Sequence, residues 1–260
     1  MKLVILGSGG FLPVDAAQTA CYFIPEAGVL LDAGSGLYRL PAYLLTSRLD
    51  IYLSHAHADH TSGLDYLFAS YFIKDLQGSG ELLTAENVEK FVQSGNDSLP
   101  KTIIHGSTET LDIVQPRYEL YHYNWFLLNS IEPLPGSGSM QHFGLENGTT
   151  GFRLDWPGHS LAYITDTIAR KGSDYIPKIA GVDLLLHDCY TADHYSPLAE
   201  KIGHSSLSAV LETAAAAKVK KLVLIHHSPV QSLDFSRELE HCRQIFPDVE
   251  IGYDLMLVDF

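Results

Sequence analysis

Apolar residues fall along this chain in short, often β-branched runs separated by turn signals. Lys2 to Leu6, Ala20 to Ile24, Val29 to Leu31 and Ile51 to Leu53 read as strands. Gly7-Ser8-Gly9-Gly10 and Asp32-Ala33-Gly34-Ser35-Gly36 form the loops that end two of them. Leu64, Leu67, Phe68 and Phe72 share one side of a helix predicted over Ser62 to Phe72. The middle of the chain predicts a strand at Glu81 to Thr84 and a helix at Glu86 to Gln93. Further strands are expected around Tyr118 to His122 and Asn129 to Pro133. Strand patterns return at Ser139 to Phe143, Thr150 to Trp156, Leu161 to Thr165, Val182 to Leu186 and Lys221 to Ile225. Ser206 to Lys218 and Ser236 to Ile245 read as helices, ahead of final strands at Glu250 to Tyr253 and Leu255 to Val258. Strands followed by helix recur in each half, with no residue-level repeat and no linker-like break. The pattern predicts one α/β domain over residues 1–260, built of sheets covered by helices.

Composition narrows the possibilities. Of 260 residues, 46% are hydrophobic and 18% charged, which is ample for a core and unlike a disordered chain. The formal net charge of −14 weighs against a broad nucleic-acid-binding face. A small anionic substrate stays compatible, because bound dications reverse the local field. Cys21, Cys189 and Cys242 lack paired spacing and read as buried thiols of a reducing compartment. The N-terminal run is too quickly broken by glycine for a signal peptide, and no apolar run approaches the ~20 residues that span a bilayer. A cytoplasmic protein without membrane association is the expectation.

The chemistry concentrates in Ser54-His55-Ala56-His57-Ala58-Asp59-His60, at the exit of an apolar strand. Imidazole and carboxylate suit a borderline divalent metal such as zinc. Four such groups exceed what one tetrahedral ion uses when a reactive position is left open, so two adjacent metals are implied. His142, Asp166 and His226 lie at or near the ends of other predicted strands, where α/β proteins gather ligands. Taken singly, Asp166 equally suits a turn, and His226 or His227 a core. Strand alternation sends His226 and His227 to opposite faces, so only one of them reaches the metals. Asp188 in His187-Asp188 is a candidate to orient a ligand histidine, or a turn-forming residue. The Asp32-Ala33-Gly34 segment is a candidate support for the metal loop, and Gly7-Ser8-Gly9-Gly10 reads as a structural turn. His105, His122, His159, His194 and His241 read as surface or packing residues.

These residues, in this order, resemble the metallo-β-lactamase superfamily, and most of all its ribonuclease Z and phosphodiesterase branch. Leu6-Gly7-Ser8-Gly9-Gly10, Leu31-Asp32-Ala33-Gly34-Ser35-Gly36 and Gly203-His204-Ser205-Ser206 add to the resemblance. It implies a four-layer αββα sandwich of two mixed β-sheets flanked by helices. It implies one ion on His55, His57 and His142, a second on Asp59, His60 and His226, and Asp166 bridging both. Asp59 counts among the catalytic residues as well as the ligands, and His204 is implied as general acid near the leaving group. Zinc is the expected ion, with manganese or iron as alternatives.

Ribonuclease Z carries a long tRNA-gripping arm between the ligands matching His142 and Asp166. Only residues 143–165 separate them here, so no such arm fits, and tRNA is not an expected partner. Ser206 also replaces a threonine of that family's motif. The expected activity is hydrolysis of a phosphodiester, a cyclic nucleotide or similar small substrate, by a metal-bound hydroxide. The alternative is an acyl hydrolase for a lactone or thioester on the same centre. A non-hydrolytic diiron or scaffold role ranks third. Specificity is expected in the loops from about Phe72 to Leu128, whose Tyr and Trp residues suit a pocket lining or a homodimer interface.

Overall fold

The computed structural model describes residues 1–93, 100–118, 123–128, 131–230 and 235–260. The first sheet contains β1 (Lys2–Gly7), β2 (Cys21–Ile24), β3 (Val29–Leu31), β4 (Arg48–Tyr52), β5 (Lys101–Gly106) and β6 (Asn124–Leu127). The second contains β7 (Ile131–Leu134), β8 (Gly138–Gly144), β9 (Thr150–Trp156), β10 (His159–Ile164), β11 (Leu184–Asp188), β12 (Lys221–Ile225) and β13 (Val249–Ile251). The last strand, β14 (Leu257–Asp259), returns to the first sheet beside β1.

The strand orders are β14-β1-β2-β3-β4-β5-β6 and β7-β8-β9-β10-β11-β12-β13. In each sheet three antiparallel pairings are followed by three parallel ones. Parallel strands need crossover segments, and those segments supply the outer layers. They include α1 (Ala58–Thr61), α2 (Leu67–Ser79), α3 (Ala85–Gln93), α4 (Thr108–Val114), α5 (Ser196–Lys201), α6 (Leu207–Ala217) and α7 (Phe235–Ile245).

Burial shows why the strands read as unbroken apolar runs. Leu3, Ile5, Tyr22 and Leu31 meet Leu161, Tyr163, Leu186 and Val223 between the sheets. The alternate residues Val4, Leu6, Phe23 and Leu30 pack outward against Leu37, Leu64 and Leu67. On the far side Ala162, Ile164, Leu185 and Leu224 pack under Leu207, Val210 and Leu211 of α6. Both faces of the central strands are therefore buried, as a four-layer αββα sandwich requires.

Several local expectations need correction. The helix expected at Ser62 to Phe72 is broken at Tyr66 (φ −125°, ψ 9°) into a 3₁₀ turn, Ser62–Asp65, and α2. Within that turn the Gly63 N–H donates to the Ala33 carbonyl, and a Cβ there would lie 2.3 Å from the Gly34 oxygen. Glu81 to Thr84 is not a strand. It links α2 to α3 with Leu82 and Leu83 exposed, and it pairs with no strand among the described residues. The strand expected at Tyr118 to His122 is a bend at Tyr118, and its other residues lie outside the described ones; β6 follows at Asn124. The strand at Val182 to Leu186 is shifted to Leu184–Asp188, which places Asp188 at a strand end. No element was expected where β5 and α4 lie.

Candidate metal centre

The site is assembled at the carboxyl ends of parallel strands of both sheets. His55 to His60 follow β4, Asp32 follows β3, Asp166 follows β10, Asp188 ends β11, and His226 follows β12. This is the edge where open α/β sheets place ligands.

Asp32 organises the histidine run from beneath. Its wholly buried carboxylate accepts the Ser54 N–H (2.7 Å), the Ser54 hydroxyl (2.7 Å) and the Tyr163 hydroxyl (2.5 Å). His60 Nδ1 lies 2.6 Å from the same carboxylate, which fixes the tautomer and turns Nε2 toward the cavity. There His60 Nε2 stands 3.0 Å from His226 Nε2, 3.1 Å from Asp166 Oδ1 and 3.5 Å from Asp59 Oδ2. His226 Nε2 is 3.3 Å from both Asp59 Oδ2 and Asp166 Oδ1.

Three groups of ligand atoms lie within 4.8 Å of one another: His55, His60 and Asp166; Asp59, His60 and His226; Asp166, His204 and His226. Asp166, His60 and His226 each belong to two of the groups, and of the three only the Asp166 carboxylate, with two oxygens, can span a pair of neighbouring cations. A buried nitrogen supplies the test of fit. His55 Nε2 has no hydrogen-bond partner among the described residues and sits 3.5 Å from Asp166 Oδ2. The donor set, imidazole nitrogen with carboxylate oxygen, suits zinc, manganese or iron.

The electrostatics fit as well. Burial, with His60 beside it, pushes the His55 imidazole down to about 3, so it stands neutral with a free lone pair. Burial works to raise the Asp166 carboxyl, but His226, His60 and His55 outweigh it and hold it well below the usual range. Burial likewise opposes ionisation of Asp59, and His60 and His226 prevail.

Backbone strain is concentrated here. Eight non-glycine residues have positive φ among the described residues; Phe11, Asn147, Asp166 and His226 of them line the site's cavity, and Asp32 lies beneath the histidine run. Such conformations persist where the surroundings over-determine them, as at ligand sites. His226 is held by its N–H, which donates to the Ser8 carbonyl at 2.7 Å. Gly10 leaves room for its ring, because a Cβ there would lie 2.4 Å from His226 Cε1. The glycine-rich turn thus has a packing role toward the site that its sequence alone did not reveal.

His204 sits on the other wall. Its Nδ1 is 2.9 Å from Asp188 Oδ2, and its ring stacks on Tyr190 (4.4 Å, 13°) and on His226 (5.2 Å, 25°). Burial works to lower its pKa, but the Asp188 carboxylate raises it above the ordinary histidine value. Ser205 does not cap α6: its hydroxyl donates to the Thr167 carbonyl and accepts the Ala169 N–H. Ser206 occupies the N-cap position without a side-chain cap bond, and Asp193 accepts the Ser208 N–H instead.

The remaining expected residues separate. His57 is exposed, lines the cavity and meets His55 edge-on at 4.3 Å, but belongs to none of the three groups. His142 is in none of the three groups either. It pairs with Phe152 inside β8, which runs on to Gly144, and the turn after β8 sends Asn147 and Thr149 into the cavity instead. Of the rivals, His226 faces the cluster, while the His227 ring nitrogens meet the carbonyls of Cys189 and Gly252. His105 is buried with Nε2 2.8 Å from Asp50, and His159 Nδ1 lies 2.7 Å from the Phe260 carbonyl. His122 lies outside the described residues.

The walls enclose a cavity of about 660 Å³, bounded by Asp59, Asp166, Tyr190, His204 and His226 and opening past Phe11. Fold and site together define a superfamily: the model of the beta-lactamase superfamily domain matches residues 28–227, and the chain belongs to that superfamily. It is similar to the ribonuclease Z of Methanosarcina acetivorans, 25% identical over 299 positions that cover 98% of this chain and 97% of the relative. The ribonuclease Z of Saccharolobus solfataricus is 24% identical, with 99% of each covered. Among solved structures, the metallo-beta-lactamase fold protein YhfI from Bacillus subtilis superposes with TM-score 0.76 at 20% identity, over 99% of both chains. Human tRNase Z, short form, superposes with TM-score 0.69 at 18% identity, over 100% of this chain and 99% of that one.

Proposed function

We propose that this protein is a dinuclear metal-dependent hydrolase acting on a small phosphodiester. The observation that carries the reading is the pair of neighbouring ligand groups, His55, His60 and Asp166 beside Asp59, His60 and His226, next to the Asp188-held His204. One ion would rest on Asp59, His60 and His226. The other would rest on His55, with Asp166 between the two and with His57 and His142 as the further ligands expected from the sequence; neither of these stands in a ligand group as the side chains lie. When bound, the ions lower the pKa of a water and offset charge on a phosphoryl oxygen. The chain's own residues orient and protonate. Asp188 accepts from His204 Nδ1, leaving Nε2 toward the cavity to hand a proton to the departing oxygen. Tyr190 holds the plane of that ring.

The names of the relatives support phosphodiester chemistry, and ribonuclease Z and tRNase Z name RNA as the substrate there. Two features favour a smaller substrate here. The formal net charge is −14. The alignment with the Methanosarcina relative runs over 299 positions against 260 residues, so that relative carries residues this chain lacks. Acyl hydrolysis is the second reading, because a cavity lined in part by Phe11, Ile202 and Val230 also suits an uncharged ester.

Purified protein should hold about two transition-metal equivalents and cleave an aryl phosphodiester. Unimpaired cleavage by the His55→Ala, Asp166→Ala double variant would sink the reading. Higher kcat/KM for lactones or thioesters would favour the second, and efficient cleavage of a tRNA precursor would replace the small substrate. No helix among the described residues is long and apolar enough to cross a membrane. Buried, unpaired Cys21, Cys189 and Cys242 support a cytoplasmic setting. A homodimer belongs to the same reading, with exposed Leu82 and Leu83 as apolar surface for it; light scattering that reads one chain's mass would remove it.

A further inference from the structure

The mouth of the cavity has a chemistry of its own. Phe11, Ile202 and Val230 line it and are 67%, 47% and 82% exposed. Large apolar side chains standing this far into water, grouped around a cavity, mark a recognition surface. Phe11 is moreover held there. Its φ is +67°, a conformation bulky residues rarely adopt, and its N–H donates to Asp59 Oδ2 at 2.7 Å. The ring is therefore registered against the cluster by a carboxylate that belongs to it. Across the opening, Tyr190 adds a second aromatic wall, lying flat against His204.

None of the described residues that line the cavity is Lys or Arg. Arg170 is paired to Glu146, next to the lining residue Asn147, with Nη1 2.6 and 2.7 Å from the two carboxylate oxygens. A polyanion needs several phosphates met by basic side chains. A single phosphoryl group at the cluster needs none beyond it.

Resting on the proposed function, we infer that Phe11, Ile202 and Val230 select phosphodiesters with one negative charge and an aromatic group on the ester that is retained, not on the one that leaves. Phosphate lies at the cluster, and the aromatic group lies between Phe11 and Val230, where offset or edge-on ring contacts are available. A substrate with a further phosphate on that side meets apolar walls and the acidic chain.

The test compares 4-nitrophenyl phosphodiesters whose second ester group is methyl, phenyl, or an alkyl group carrying a further phosphate. The phenyl ester should exceed the methyl ester in kcat/KM by about tenfold or more, as burial of one ring provides, and the phosphorylated ester should be the poorest. Phe11→Ala and Val230→Ser should each cut the phenyl-to-methyl ratio several-fold, and Phe11→Trp should keep it. Equal kcat/KM across the series, or a ratio untouched by both variants, overturns the inference while the phosphodiesterase reading stands. Metal-loaded protein that cleaves none of the three overturns that reading instead. Binding of diphenyl against dimethyl phosphate by calorimetry then decides the inference separately, since tighter binding of diphenyl phosphate supports it and equal binding overturns it.

Discussion

Asp50 shows how much one buried side chain carries away from the metal site. It lies on β4 with its carboxylate wholly buried, 2.8 Å from His105 Nε2, and accepts from Arg48 at 2.6 and 2.7 Å. Asp50→Asn leaves those partners facing a neutral amide and should cost about 3 kcal/mol of stability, read by denaturant unfolding at pH 7. Burial works to raise the Asp50 pKa, but His105 and Arg48 prevail and lower it. A folded-state value below the unfolded one of about 4 means the contribution is complete above that pH and fades as pH falls through the lowered value. The gap between wild type and Asp50→Asn should therefore narrow toward pH 3; a gap of constant size would refute the assignment. Gly10→Ala tests a second contact. Its Cβ would lie 2.4 Å from the His226 ring, so metal affinity should fall by about 10- to 100-fold in a zinc titration, as when a ligand's support is lost. At this scale the histidine run was legible because its spacing is local. The end of β8 beyond His142 was less legible, because a sequence marks a strand more clearly than the residue at which it ends. Continuation of β8 to Gly144 keeps His142 within the ladder opposite Phe152.

Elements that are apolar on both faces announced themselves. β1, β10 and β12 were legible because the run is continuous and the next turn abrupt. β5 was not, because Thr102-Ile103-Ile104 is short and gains its meaning only from β4 and β6 on either side. Leu82-Leu83-Thr84 is the reverse case, an apolar run that pairs with no strand among the described residues. The end of α6 yields a prediction of its own. The alanine-rich run stops at Lys218, which adopts the left-handed conformation (φ 54°, ψ 38°) and donates its N–H to the Ala214 and Ala215 carbonyls. Lysine pays a Cβ clash there that glycine avoids, although glycine also gains freedom in the unfolded chain. Lys218→Gly should therefore stabilise the protein by about 0.5–1 kcal/mol. A lower denaturation midpoint for the variant would show that the cap is unstrained.

The whole molecule is two similar sheets that meet at one charged seam. Asp59 and His60 follow β4 of the first sheet, whereas Asp166 and His226 follow β10 and β12 of the second. The protein bonds that fix these groups cross the seam as well, since Tyr163 of β10 donates to Asp32 beyond β3. A cation on Asp59, His60 and His226 would thus tie one sheet to the other, and its binding free energy would add to the stability of the folded chain. An ion present at a thousandfold over its dissociation constant adds about 4 kcal/mol. For a chain of this size that corresponds to a fall in melting temperature of about 10 °C when a chelator removes it. Return of zinc should restore the loss in wild type and only in part in His226→Ala, whose second-sheet ligand is gone. The comparison separates two origins of order at the seam. If melting is indifferent to chelation, then Asp32, Tyr163 and the histidine–carboxylate pairs hold the sheets together unaided, and the cluster would be a polar network of the protein's own.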